Sequence, residues 1–344
     1  MKTIRVLIVE ESGRRRRALE AALASPELEL VGSVGDVAAA TRASQSLNPD
    51  IVVLNPAIAG GTGFSVIEEV MAFRPTPILV VTDRKGSALG FKAMALGALD
   101  VLLLPEGEGG VAEFALQLKS RVKLLSKVRV ITHVKGRRGP RTPMPHERVT
   151  TPIVGIAASL GGPKALAHLL RDLPDGLPAP ICIVQHISDG FAGGLATWLA
   201  AETGKRVMEA QDGQILVPGL VLVAPSGAHL TVGSDERVVL DHGPEVEGFR
   251  PSCNSLLHSL ARRYGPRAIG VVMTGMGSDG AHGLLALRDA GGRTLAQDEA
   301  TSVVYGMPKA ALEAGGVERQ VPLDELAEAI AGLVQQLATQ GRPR

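Results

Sequence analysis

Ile153-Val154-Gly155-Ile156-Ala157-Ala158-Ser159-Leu160-Gly161-Gly162-Pro163-Lys164 runs from an aliphatic strand through a tight turn into a helix. Small residues flank Ser159 and permit a sharp turn that presents its hydroxyl above a sheet edge. Gly161 and Gly162 admit close backbone approach, and Pro163 suits the first helical turn. The free N–H groups of a helix start suit a developing oxyanion. A serine at such a junction also serves as a plain helix cap. The stretch is near the G-x-S-x-G elbow, with Ala157 at the first Gly.

The same strand–turn–helix rhythm extends through residues 151–340. Strands are expected at Ile153–Ala157, Ile181–Gln185, Leu220–Ala224, Val238–Leu240 and Ala268–Thr274, and helices over 162–171, 190–202, 253–263 and 280–290. Residues 1–125 repeat the rhythm five times. The aliphatic runs Arg5–Val9, Leu28–Val31, Ile51–Leu54, Ile78–Val81 and Val101–Leu104 alternate with helical patterns over 14–24, 37–47, 63–73, 86–96 and 109–124. Continuous apolar strands followed by helices imply parallel sheets covered on both faces. The expected fold is therefore α/β, with two doubly wound domains, flavodoxin-type first and Rossmann-like second. Between them, 126–150 holds Lys127, Arg129, Lys135, Arg137, Arg138, Arg141 and Arg148 with Pro140, Pro143 and Pro145. It reads as an exposed linker, with a polyanion-binding arm as the sharper alternative.

Composition bounds the function. The 344 residues suit two domains. With 36 Lys+Arg against 35 Asp+Glu, a net charge of +1 argues against bulk nucleic-acid binding. No apolar run is long enough to span a membrane and no signal peptide is evident, so the expected location is cytoplasmic. Cys182 and Cys253 are too few for a disulfide scaffold or structural zinc, and no metal or cofactor is expected.

Two further loops bear on Ser159. His186 ends the strand Ile181–Gln185, and Asp279 sits in the glycine-rich loop Thr274-Gly275-Met276-Gly277-Ser278-Asp279-Gly280. Alone, the histidine is ordinary and the aspartate a helix cap. Three strand ends offering Ser, His and Asp are the parts of a nucleophilic triad. Their chain order differs from that of α/β-hydrolases.

These residues closely resemble the chemotaxis protein-glutamate methylesterase family of the CheB type. The resemblance covers nearly all of 151–325. It includes Ser159-Leu160-Gly161-Gly162, Gln185-His186, Ala210–Gly213 through Val217-Pro218-Gly219, Ala224-Pro225 with His229, Arg250-Pro251-Ser252, Thr274–Gly280, and Ala296–Ser302 through Tyr305–Pro308. It implies hydrolysis of γ-glutamyl methyl esters on chemoreceptors, with deamidation of receptor glutamines in many members. It makes Ser159 the nucleophile, His186 the base and Asp279 its orienting carboxylate. The Met276 backbone joins Leu160 and Gly161 around the oxyanion. Leu160 departs from the usual Thr, which keeps the N–H and removes a hydroxyl. The implied partners are cytoplasmic receptor domains and a chemotaxis histidine kinase.

Residues 1–125 resemble a response-regulator receiver whose phosphorylation chemistry is broken. The acidic pair that holds Mg²⁺ is Glu10-Glu11, a methylene longer than usual. The phospho-acceptor matches Asn55, a poor nucleophile, which also removes a charge that a hard cation needs. Thr82 matches the switch hydroxyl, and the phosphate-pairing Lys matches Leu104. The expectation is an unphosphorylated pseudo-receiver. A non-catalytic adaptor keeping this fold is the alternative from another class. His229 is left between a groove position and a structural one, and Cys253 lies near the expected groove.

Overall fold

Five aliphatic runs in the first 125 residues become strands β1 (Ile4–Val9), β2 (Leu28–Val34), β3 (Ile51–Leu54), β4 (Ile78–Thr82) and β5 (Asp100–Leu103). Helices α1 (Gly13–Leu23), α2 (Val37–Ser46), α3 (Phe64–Phe73), α4 (Ser87–Ala95) and α5 (Val111–Leu125) follow them in turn. The strands pair in the order β2-β1-β3-β4-β5, all parallel. Every residue of β3 and β4 is buried, as a sheet covered on both faces requires. The computed structural model describes residues 3–58, 63–83, 87–105, 110–128, 151–233 and 236–340. Apart from residues 126–128, the basic stretch expected as a linker lies outside them. The chain divides into two units, Met1–Arg137 and Arg138–Arg344.

The second unit carries a seven-stranded parallel sheet ordered β14-β13-β12-β6-β7-β9-β8. Its strands are β6 (Ile153–Ala158), β7 (Ile181–Gln185), β8 (Arg206–Glu209), β9 (Leu220–Val223), β12 (Ala268–Val272), β13 (Arg293–Gln297) and β14 (Arg319–Val321). Helices α6 (Gly162–Asp172), α7 (Ala192–Thr203), α8 (Cys253–Arg263), α9 (Ala281–Asp289), α10 (Met307–Glu313) and α11 (Leu323–Gln340) cover it. Because β6 lies between β7 and β12, chain order reverses beside it. Ligand sites of open parallel sheets gather at that point, outside the carboxyl ends of the strands.

The expected strand at 238–240 takes a different place. It becomes β11 (Val238–Asp241), paired antiparallel with β10 (His229–Val232) outside the main sheet. The connection over residues 233–237 is too short for a parallel crossover. Strands β8, β10, β13 and β14 and helices α10 and α11 add to what the sequence pattern indicated. Among the described residues no helix is long and apolar enough to cross a membrane.

Two glycines bring the site helices onto the sheet. Gly155 of β6 and Gly270 of β12 are register partners. A Cβ at Gly155 would lie 2.5 Å from Leu260 Cδ1, and one at Gly270 2.6 Å from Leu284 Cδ1. Close seating of α8 and α9 therefore depends on bare backbone there. Gly155→Val is expected to destabilise the second unit by about 1–3 kcal/mol through overpacking. Urea unfolding should show a lower midpoint for that unit and an unchanged slope.

Candidate functional site

Ser159 follows β6 directly and is half-buried. Its N–H donates to Thr274 O at 3.0 Å. Its carbonyl accepts from Gly162 N at 2.9 Å and Gln185 Nε2 at 2.7 Å. Both neighbouring strand ends thus fix the turn. Gly161 is left-handed, with φ of 79°, and a Cβ there would meet Val303 at 2.6 Å. The backbone N–H groups of Leu160 and Met276 have no acceptor among the described residues. The Leu160 side chain is buried, whereas that of Met276 is half-exposed.

His186 follows β7, and Asp279 lies in the loop between β12 and α9. Their side chains meet: His186 Nε2 is 2.8 Å from Asp279 Oδ2. The aspartate is 1% exposed. Its Oδ2 also accepts from Cys253 N at 2.7 Å, and its Oδ1 from Asn254 N and Ser252 Oγ, each at 2.9 Å. These donors form the N-terminus of α8, a natural place for an anion. Burial alone would push the Asp279 carboxyl up. The bonds from His186, Asn254 and Cys253 outweigh it and hold the group below the usual carboxylate range. An ionised Asp279 accepts a proton-bearing Nε2, so the neutral imidazole keeps its lone pair on Nδ1. That Nδ1 is buried and has no partner.

Several contributors escaped the sequence reading. Phe249 stacks flat on the His186 ring, with centroids 4.1 Å apart and planes 2° apart. A rare aromatic next to Arg250-Pro251-Ser252 was the available signal. Thr274 is buried. Its Oγ1 donates to Leu160 O at 2.9 Å and accepts from Val304 N at 3.0 Å. Gln297 accepts from Thr274 N at 2.9 Å and donates to Thr301 O at 2.8 Å. The serine turn and the loops around 275 and 303 are therefore tied into one polar network.

The two open positions resolve. His229 is buried with both nitrogens engaged, Nδ1 accepting from Ser252 N at 3.1 Å and Nε2 facing Pro244 O at 3.0 Å. It is structural, seating the start of α8. Cys253 is fully buried, and burial, then the Asp279 charge, raises its thiol well above the ordinary value. It is no nucleophile in this setting. Burial likewise pushes Cys182, inside β7, up to about 12.

In the first unit, Glu10 and Asn55 meet as buried partners. Asn55 Nδ2 donates to Glu10 Oε2 at 2.8 Å, and Ser12 N donates to Oε1 at 2.8 Å. Asn55 Oδ1 accepts from Ala57 N at 3.0 Å. Thr82 is buried at the end of β4 and accepts at its carbonyl from Leu104 N at 2.8 Å. Glu11 is exposed.

Ser252 has two tasks, because its Oγ donates to Asp279 and accepts from Ser255 N at 3.3 Å as the cap of α8. Ser252→Ala should cost about 1 kcal/mol from the cap alone. It should also let the Asp279 carboxyl rise. A carboxyl held low in the fold contributes stability that is present above its unfolded value. That contribution is lost as pH falls through the folded value. The variant's stability deficit should thus be largest near pH 7 and narrow as pH falls through about 4 and below. Urea titrations of both proteins across that range measure it.

Residues 154–330 match the family model for CheB methylesterase, and residues 6–111 match that for a response regulator receiver domain. The chain is 46% identical over 335 residues to protein-glutamate methylesterase/protein-glutamine glutaminase 2 of Anaeromyxobacter dehalogenans, covering 97% of this chain and 98% of that one. It is 45% identical to protein-glutamate methylesterase FrzG of Myxococcus xanthus, covering 86% of this chain and 88% of the relative. The crystal structure of the Thermotoga maritima CheB methylesterase catalytic domain matches with a TM-score of 0.52 and 36% identity, over 54% of this chain and all of that one. The sheet order, the residues gathered at the ends of β6, β7 and β12, and this near full-length likeness agree. The chain belongs to the CheB methylesterase family and carries a receiver domain ahead of its methylesterase domain.

Proposed function

We propose that this chain is a cytoplasmic protein-glutamate methylesterase. It removes methyl esters from glutamate side chains of chemoreceptors, with Ser159 as nucleophile. The observation that carries the reading is the His186–Asp279 pair, 2.8 Å apart with the aspartate buried and His186 Nδ1 left unpartnered. Asp279 holds the imidazole in one tautomer, and Nδ1 takes the proton as Ser159 Oγ attacks the ester carbonyl. The N–H groups of Leu160 and Met276 stabilise the oxyanion. The imidazolium returns its proton to the departing methanol. Water, deprotonated by His186, then frees the carboxylate from the acyl-serine. A glutamine side chain follows the same route with ammonia leaving, which supports a second activity as protein-glutamine glutaminase.

Residues 1–125 regulate without phosphorylation in this reading. The Asn55–Glu10 hydrogen bond uses the carboxylate that would hold Mg²⁺, and Leu104 brings no charge to pair with phosphate. The domain then acts as a lid or a docking module, and residues 126–150 link it to the catalytic domain of 151–340.

Methanol release from methyl-labelled receptor membranes tests the reading with the intact chain, residues 147–344, and Ser159→Ala in each. Release is expected from at least one form and is lost with Ser159→Ala. Asp279→Asn should reduce it by roughly three to four orders of magnitude, because the amide favours the wrong tautomer. Silence of both unsubstituted forms on several receptors would favour a non-catalytic adaptor. Separately, acetyl phosphate with Mg²⁺ should leave residues 1–125 unlabelled, and Mg²⁺-dependent labelling would overturn the phosphorylation-free reading.

A further inference from the structure

We propose that His186, Cys253 and Asp279 form a Zn²⁺ site whose occupation switches the hydrolase off. Their ligand atoms lie within 4.8 Å of one another, the one such triple of His, Cys or acidic side chains among the described residues. They come from three separate elements: the end of β7, the first residue of α8, and the loop before α9. One imidazole, one thiol and one carboxylate suit zinc, whereas Mg²⁺ and Ca²⁺ prefer oxygen alone.

The spacing fits a tetrahedral ion. Bonds of about 2.0 Å to nitrogen and oxygen and about 2.3 Å to sulfur place N and S about 3.5 Å apart, and N and O about 3.3 Å apart. His186 Nε2 and Cys253 Sγ are 3.6 Å apart. Nε2 and Asp279 Oδ2 are 2.8 Å apart, so that oxygen must retreat by about half an ångström. Ser252 Oγ and Asn254 N–H hold the other oxygen at 2.9 Å and keep the carboxylate oriented meanwhile. The His186 side chain keeps 10% of its surface exposed, whereas Cys253 and Asp279 are buried.

Charge and protons also balance. A thiolate and a carboxylate neutralise the dication, which a buried site requires. The Cys253 thiol proton leaves to solvent. The imidazole proton moves from Nε2 to Nδ1, which is buried without a partner. The lone pair that would deprotonate Ser159 is then gone, and Asp279 no longer orients the ring. Inhibition therefore rests on the triad reading above, whereas metal binding does not.

Co²⁺ added to the full-length, metal-free chain is the first probe, followed by displacement with Zn²⁺. A near-ultraviolet thiolate-to-cobalt charge-transfer band is expected at one ion per chain. It should vanish on adding Zn²⁺, be absent in Cys253→Ala, and persist in Cys182→Ala. Methanol release is measured for each protein relative to its own metal-free rate. Zn²⁺ should cut that of the unsubstituted chain at least about tenfold where Cys253→Ala loses less than about twofold, with recovery in EDTA. No cobalt–thiolate band, a band surviving in Cys253→Ala, or equal zinc inhibition of both proteins would overturn the proposal. A Cys253-dependent band in a chain that never releases methanol would uphold the metal site and sink the esterase reading. Release without a band would do the reverse.

Discussion

The catalytic unit is organised around one buried anion. Asp279 is shut away from water, and a carboxylate in that position is tolerable only if protein groups replace its hydration. Four donors do so: His186 Nε2, the N–H groups of Cys253 and Asn254, and the Ser252 hydroxyl. Three of the four belong to the first turn of α8 or its cap. The helix macrodipole adds to their effect. The anion therefore nails α8 to the loop after β12, and both to the end of β7. Asn254 continues the chain of contacts, since its Oδ1 accepts from Gly280 N at 3.0 Å and Gly283 N at 2.7 Å at the start of α9. Site geometry and helix placement are one constraint rather than two.

That arrangement explains what the sequence disclosed and what it withheld. Ser159, His186 and Asp279 each stand just beyond an aliphatic strand, and period and strand length are legible without coordinates. β/α alternation implies a parallel sheet, and the order of its strands brings those ends together. Phe249 stands beside one quoted motif and Thr274 and Gln297 lie inside others, but nothing local in the sequence states what they touch. Their importance lies in contacts across the fold: a ring against a ring, a hydroxyl between two loops, an amide spanning a buried gap. The hairpin of β10 and β11 was half-visible because Val238–Leu240 is aliphatic, but its partner and direction depend on the short connection. His229 shows the same limit. For that strand-end residue the sequence favours a structural role over a groove position, and only the contacts of both nitrogens decide it.

The two units place parallel α/β sheets of different strand order under opposite chemical conditions. In both, acidic and polar residues gather at the carboxyl ends of parallel strands. In the second unit the donors around Asp279 leave one acceptor atom, His186 Nδ1, without a partner. In the first, the polar groups satisfy one another. The Glu10 carboxylate takes Asn55 Nδ2 and Ser12 N, and Asn55 Oδ1 takes Ala57 N. Asn55, where the receiver resemblance implies an aspartate, thus supplies the Glu10 carboxylate with a donor.

Cys253 shows what a helix-start anion site demands of its first side chain. The N–H of that residue must face Asp279, so its side chain is carried to within 3.6 Å of His186 Nε2. A charged side chain there would either repel the carboxylate or compete with the imidazole for it. A hydroxyl would be a rival hydrogen-bond donor. A thiol kept neutral by burial and by the neighbouring anion does neither, because S–H is a weak donor and packs as a small apolar group. The same negative neighbour that keeps the thiol protonated is what a divalent cation would find attractive. Silence in the metal-free enzyme and affinity for a soft-ligand metal therefore have a single electrostatic origin, the buried negative charge of Asp279.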